Sequence, residues 1–149
     1  MPKESTPFTL DQQLCFALYS TSLAMTQLYK NLLEPLGLTY TQYLVMLILW
    51  ESDGVTLKTI AQRLGQQSGA LTPVIKRMEA DGLIMRVRGK EDDRSLSIEL
   101  TEKGEKLRQK ATDVMNCIKD ASNLSYDEIG NLRGQLLDLK EQITKNIDS

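Results

Sequence analysis

From Leu57 to Leu100 the chain reads LKTIAQRLGQQSGALTPVIKRMEADGLIMRVRGKEDDRSLSIEL, and this stretch decides the fold. Leu57, Ile60, Ala61 and Leu64 recur at helical spacing, and Gly65 turns the chain. Ser68 is the predicted cap of a second helix whose inward residues are Leu71, Val74, Ile75 and Met78, with Gly82 after its end. At about 100° per residue the opposite face carries Gly69, Ala70, Thr72, Pro73, Lys76 and Arg77. That face is small and polar at its start and basic further along, a shape and charge suited to a major groove. Leu83 to Arg88 then alternates, placing Arg86 and Arg88 on one side, and Ser95 to Leu100 alternates with Leu96, Ile98 and Leu100 inward. Between them Gly89-Lys-Glu-Asp-Asp-Arg94 is a polar turn. Helix, turn, helix and hairpin in that order predict a winged helix-turn-helix lobe over about residues 55–100.

Charge supports this reading. Leu57 to Arg94 holds eight cations (Lys58, Arg63, Lys76, Arg77, Arg86, Arg88, Lys90, Arg94) and five anions (Glu79, Asp81, Glu91, Asp92, Asp93). The segment is therefore +3 within a chain of net charge −2, which leaves −5 on the remainder. An asymmetry of this kind points to a segment that faces a polyanion.

Working outward, helix signals dominate both flanks. Thr9-Leu-Asp-Gln12, Thr39-Tyr-Thr-Gln42 and Ser125-Tyr-Asp-Glu128 each read as a capping box. The first predicts a helix running to about Glu34, ended by Pro35 and Gly37. The second predicts a helix through Trp50 whose all-round apolar character marks it as the buried centre. A further helix is expected over about Thr101 to Ala121, with Leu107, Ala111, Val114, Ile118 and Ala121 as its stripe. The terminal helix carries Ile129, Leu132, Leu136, Leu139 and Ile143 at 3-4 spacing. A compact middle segment cannot cover all these stripes, so self-association as a two-fold homodimer is expected. The fold class is mainly α: a winged helix-turn-helix with long N- and C-terminal dimerisation helices, about 9–36 and 101–147, and a small β-hairpin wing. Residues 1–149 are expected to form a single domain.

Composition excludes several functions. The sequence has no histidine, so histidine triads and His-ligated metal sites are absent, and its two cysteines cannot make a four-thiolate site. Neither metal nor other cofactor is expected. The longest apolar run, Tyr43 to Trp50, is far short of the roughly 20 residues of a membrane span, and Met1 to Thr6 does not begin a signal peptide. The expected compartment is the cytoplasm, with no membrane partner. There the two thiols are left with packing or redox chemistry.

Cys15 lies beside the apolar stripe of Leu10, Leu14, Leu18, Thr21, Met25, Leu28 and Leu32. One reading is a small buried hydrophobe; the other is a reactive thiol. Cys15, Ser22 and Tyr29 share a strip, because 14 residues bring a helix to about 40° short of four turns. Cys15 and Tyr29 are nevertheless about 21 Å apart along that helix and cannot touch within one chain. In an antiparallel pair of such helices centred on Ser22, Cys15 of one protomer faces Tyr29 of the other. A phenol donating to sulfur favours the thiolate, the form with which peroxides react. Cys117 lies beside the stripe of its own helix, where packing is the plain alternative to a second redox role.

Leu14-Cys-Phe-Ala-Leu-Tyr19, Tyr29, Leu38-Thr-Tyr-Thr-Gln-Tyr-Leu44, Ser68-Gly-Ala-Leu-Thr-Pro-Val-Ile-Lys-Arg-Met-Glu79 and Asp92-Asp-Arg94 resemble the MarR-type repressors, and more closely their organic-hydroperoxide-sensing OhrR branch. The resemblance covers about residues 8 to 145. It implies a homodimeric transcriptional repressor, not an enzyme, that binds a pseudo-palindromic operator in double-stranded DNA and is released by organic hydroperoxides. It further implies that the sensing thiol is Cys15, held by Tyr29 and Tyr40 of the partner subunit. Arg94 at the wing tip would reach a minor groove, with Asp92 orienting the turn. Ser68, Ala70, Thr72, Lys76, Arg77, Arg86 and Arg88 complete the expected DNA-binding set. The chain departs from the family where Gln67-Ser-Gly-Ala70 replaces the usual Asp-Ser-Gly-Thr, and Cys117 stands about one turn before the usual resolving thiol. The rival functions are a MarR-type repressor released by a small aromatic ligand and, in a different class, a thiol peroxidase.

Overall fold

A computed structural model of the protein describes residues 8–88 and 96–147. They form two compact units, one running to Ala111 and the other starting at Thr112. Among the described residues no single helix is long and apolar enough to cross a membrane.

The first unit begins with a 3-10 turn over Leu10–Gln12, followed by helix α1, Leu14–Leu33. This corrects the boundary expected from Thr9. The amide of Gln12 donates to the Thr9 backbone carbonyl at 3.1 Å, so no bond is left for the Thr9 hydroxyl. Gln13 is then extended and resets the chain before α1. A second 3-10 turn, Glu34–Leu36, and Gly37 at φ 75° bring the chain round to helix α2, Tyr40–Glu51. Here the capping box forms as expected: the Thr39 hydroxyl accepts from Gln42 N–H at 3.2 Å, and the Gln42 side chain accepts from Thr39 N–H at 3.1 Å. Tyr43, Val45, Met46, Ile48, Leu49 and Trp50 of α2 are buried, which makes this helix the centre of the core.

The two-residue strand β1, Val55–Thr56, leads into helix α3, Leu57–Leu64, capped by the Thr56 hydroxyl and ended by Gly65 at φ 69°. Helix α4, Ser68–Ala80, packs Leu71, Ile75 and Met78 inward. Ser68 is not its cap. It is already the first helical residue, and its carbonyl accepts from the Thr72 hydroxyl at 3.1 Å; Gln67 occupies the cap position without a side-chain bond. At the other end, Gly82 at φ 78° lets its own N–H bond Glu79 and that of Leu83 bond Met78, closing the last turn.

Strands β2, Ile84–Arg88, and β3, Leu96–Leu100, pair antiparallel, and β1 adds to the far side of β3. The hairpin is therefore part of a three-stranded sheet, with Val55 opposite Ile98 and Ile84 opposite Leu100. Ile98 and Leu100 are buried as expected, but Leu96 is 37% exposed. Alternation assigned Leu96 the correct face, yet it lies at the strand's outer end, past the extent of the core.

Helix α5, Glu102–Ser122, starts tightly bound to the end of α4. The Thr101 amide donates to the Leu83 carbonyl, its hydroxyl to that of Gly82, and Lys103 Nζ to that of Asp81 at 2.8 Å. Trp50 Nε1–H donates to the Gly104 carbonyl at 3.0 Å. A Cβ on Gly104 would collide with the Leu83 carbonyl oxygen, so only glycine permits this approach.

In the second unit, Asn123 at φ 57° turns the chain into helix α6, Tyr126–Ile147. The Ser125–Glu128 capping box forms, with bonds of 2.9 and 3.1 Å. No residue of α6 is buried, and Leu132, Leu136 and Ile143 of its stripe are 42–48% exposed.

Candidate functional site

Cys15 lies in the first turn of α1, and both it and Cys117 on α5 are free and exposed. Around Cys15 the α1 stripe stays uncovered in the single chain: Leu14 is 61% exposed and Met25 42%. The packing alternative expected for Cys15 therefore does not arise within the protomer. Among the described residues no group of His, Cys, Asp or Glu is arranged to hold a metal ion.

Tyr29, near the other end of α1, meets two tyrosines of α2. Its ring centroid is 5.0 Å from that of Tyr40 and 5.4 Å from that of Tyr43, in tilted arrangements. Each such pair contributes roughly 0.5–1.5 kcal/mol beyond the area it buries. The structure thus brings Tyr29 and Tyr40 together, while Cys15 stays 14 positions away on the same helix as Tyr29. Burial, followed by the neighbouring Tyr40, pushes the Tyr29 phenol above its ordinary range. Burial, then Tyr29 and Tyr40, pushes Tyr43 up to about 12. Both phenols therefore remain neutral at physiological pH and keep an O–H to donate. Next to them a cleft of about 550 Å³ opens between the C-terminal part of α1 and the start of α2. Tyr40 forms part of its wall, and Thr26, Lys30, Glu34 and Leu38 also line it.

On α4, Ser68, Ala70, Lys76 and Arg77 are exposed and Thr72 is half-buried, all on the expected outward face. Arg77 Nε lies 3.5 Å from Asp81, one turn on. Arg86 and Arg88 do share one side of β2, that of Ile84, and both are exposed. The Arg86 guanidinium donates twice to Glu79 of α4, at 3.2 and 3.0 Å. This bidentate pair ties the hairpin to the second helix of the helix-turn-helix. Asp92 and Arg94 lie outside the described residues.

Two participants escaped the sequence reading. Tyr43 carried a usable signal, since it stands three positions after Tyr40 and so shares its face of α2, but it also opens the apolar run that reads as plain core. Glu79 carried none, because its contact with Arg86 crosses from helix to strand.

Comparison with known proteins places these features. The profile of the SarA/Rot transcriptional regulators matches residues 27–111. The organic hydroperoxide resistance transcriptional regulator of Bacillus subtilis is 46% identical over 134 residues, covering 90% of this chain and 91% of that protein. Among solved structures, reduced AbfR bound to DNA superposes with a TM-score of 0.77 at 34% identity, covering 94% of this chain and 96% of that one. The disulfide-formed AbfR gives 0.63 at 35% identity, covering 94% and 93%. A separate crystal structure carries the source of AbfR, Staphylococcus epidermidis. These relatives are transcription regulators, not enzymes.

Proposed function

The chain belongs to the MarR-type winged-helix transcriptional regulators, in their organic-hydroperoxide-sensing OhrR branch, and from that membership we propose that it is a homodimeric repressor that holds a pseudo-palindromic operator while Cys15 is reduced. The observation that carries this reading is the pairing of an exposed Cys15 on an uncovered apolar helix face with a preformed Tyr29–Tyr40 pair where the far end of that helix meets α2. One chain cannot join them. A two-fold pairing of α1 with its copy can, with Cys15 of one protomer against Tyr29 and Tyr40 of the other.

Two phenols donating to sulfur favour the thiolate. The thiolate attacks the terminal peroxide oxygen, an S–O bond forms and the O–O bond breaks. Sulfur is oxidised by two electrons to the sulfenic acid, and the leaving alkoxide takes a proton and departs as the alcohol. Cys117, exposed on α5, is the proposed second thiol; it would displace the sulfenic hydroxyl as water and leave a Cys15–Cys117 disulfide between protomers. Either step removes the anionic sulfur that the phenols held. A 100-fold loss of operator affinity needs only about 2.7 kcal/mol of coupling.

Each protomer acts as one domain over residues 1–149 in the cytoplasm. Residues about 9–36 and 101–147 build the dimer, and the lobe of about 55–100 reads DNA. The outward face of α4 enters the major groove through Ser68, Ala70, Thr72, Lys76 and Arg77. The wing of Arg86, Arg88, Asp92 and Arg94 follows the adjacent backbone and minor groove.

A gel shift on the DNA upstream of the protein's own gene, with and without cumene hydroperoxide, tests this. Reduced wild type binds and is released by the peroxide; Cys15→Ser binds and is not released. Release of Cys15→Ser would transfer the function to a ligand-gated repressor. A covalent dimer on a non-reducing gel that vanishes in both Cys15→Ser and Cys117→Ser assigns Cys117 as the trap.

A further inference from the structure

Tyr43 is the one member of the tyrosine trio with no surface to offer a partner. It is 1% exposed, whereas Tyr29 and Tyr40 are half-buried at the surface of the α1–α2 corner. Tyr29 is the shared member of both ring contacts: Tyr40 lies 5.0 Å away and Tyr43 5.4 Å away, at 47° and 38° to its plane. Tyr40 and Tyr43 stand one turn apart on α2, so the two rings flank Tyr29 from a single rigid element. That element is itself pinned. The Thr39 capping box fixes its first turn, and the Tyr43 amide donates to the Thr39 carbonyl at 2.9 Å. The corner is closed by buried Leu33 and Leu38, whose backbones bond at 3.3 Å. A phenol on a helix otherwise has freedom about χ1, and a donor that must meet a thiolate loses reach when its ring swings away.

We infer that Tyr43 is a positioning residue for the peroxide-sensing thiol: it holds the Tyr29 ring against Tyr40 so that the Tyr29 hydroxyl is already placed for Cys15 of the partner. This rests on the function proposed above. Tyr43 touches neither sulfur nor peroxide; it acts through its ring, in every reduced protomer. The ring, not the hydroxyl, does this, which separates its role from that of Tyr29 and Tyr40.

The test uses the intact dimer. The rate of sulfenic acid formation at Cys15 with cumene hydroperoxide is followed by dimedone trapping from pH 5 to 9, beside operator affinity of the reduced protein. Tyr43→Phe keeps the ring and is expected within about two-fold of wild type at every pH. Tyr43→Leu is expected to be oxidised at least ten-fold more slowly at pH 7, with its pH profile moved upward and reduced operator affinity within about two-fold. Slowed oxidation in a Tyr43→Leu protein whose operator affinity and urea midpoint stay near wild type is a pattern that simple loss of core packing does not give. Wild-type oxidation kinetics in a folded Tyr43→Leu protein overturn the inference. If the leucine variant does not fold, nuclear Overhauser contacts in wild type decide. A single Tyr29 rotamer in contact with both Tyr40 and Tyr43 supports the role, and a Tyr29 ring averaging over rotamers overturns it. Peroxide release of Cys15→Ser would instead overturn the sensing function itself, whatever the Tyr43 variants do.

Discussion

Gly104→Ala perturbs the point where the centre of the core, the second helix of the helix-turn-helix and the long α5 meet. A Cβ built on Gly104 overlaps the Leu83 carbonyl oxygen by roughly 1 Å relative to ordinary contact and lies 3.2 Å from Leu100 Cδ2. Neither neighbour yields easily. The Leu83 carbonyl is fixed by the Thr101 amide at 3.1 Å, and Leu100 is buried in the sheet. Relief requires α5 to back away, which stretches the 3.0 Å Trp50–Gly104 bond and the 2.8 Å Lys103–Asp81 bond. Overpacking of this kind costs about 1–3 kcal/mol, and weakening a buried hydrogen bond adds about 1 kcal/mol. Alanine's better helix propensity returns at most about 1 kcal/mol. The net expectation is a destabilisation of about 1–3 kcal/mol, a large share of the roughly 5–15 kcal/mol that holds a domain. Urea unfolding at fixed protein concentration measures it, since a dimer's midpoint depends on concentration. Trp50 is the sole tryptophan, so its fluorescence follows the joint directly. A Gly104→Ala protein as stable as wild type, with unchanged Trp50 emission, would refute the reasoning.

Two further outcomes concern Arg86 and Tyr43. Arg86 both follows the DNA backbone and braces the wing through Glu79, so Arg86→Gln and Glu79→Gln both weaken operator binding, and Arg86→Gln alone also lowers the slope of log affinity against log salt by about 0.9. An unchanged slope in Arg86→Gln would leave Arg86 a brace without a phosphate contact; half-exposed as it is, the pair adds no more than about 1 kcal/mol to stability. In alkali, Tyr43 ionises near 10 when unfolded and at about 12 when folded. Its contribution is therefore complete below pH 10 and is lost as pH rises from 10 to 12, by about 3 kcal/mol in all. Tyr43→Phe should lose correspondingly less stability over that window, as read by urea midpoints at pH 9, 10.5 and 12.

Local patterns in this sequence were legible where the physics is local. The Thr39 and Ser125 boxes formed because each hydroxyl found a free amide three residues on. The Thr9 box failed because its partner amide closed a backbone turn first. Faces were legible and depth was not: Leu96 alternates correctly with Ile98 yet stands beyond the core. Strand β1 could not be read at all, since two residues carry no period and Val55–Thr56 is a strand only because Ile98 and Ser97 lie opposite. The Arg86–Glu79 pair and the Trp50–Gly104 bond were hidden for the same reason, being products of tertiary approach across 7 and 54 positions.

The sensor divides along the same line. Cys15, Ser22 and Tyr29 fall on one strip by helical arithmetic alone, whereas the contact of Tyr29 with Tyr40 and Tyr43 depends on how the Gly37 turn sets α2 against α1. Within one chain the folding energy is applied to the donors: three rings packed at the corner hold the Tyr29 and Tyr40 hydroxyls in place. None of it is applied to the thiol, which sits on an apolar face that the protomer leaves open. On the proposed reading this asymmetry is what makes oxidation informative. Because the donors are fixed by their own subunit, chemistry at the sulfur cannot be absorbed by local repacking around Tyr29. The strain must fall on the only contact that is not covalently continuous, the seam between protomers. A two-fold seam carries two such thiols, symmetrically placed. A coupling of about 1.4 kcal/mol at each, if additive, already yields the 100-fold change in operator affinity that release requires.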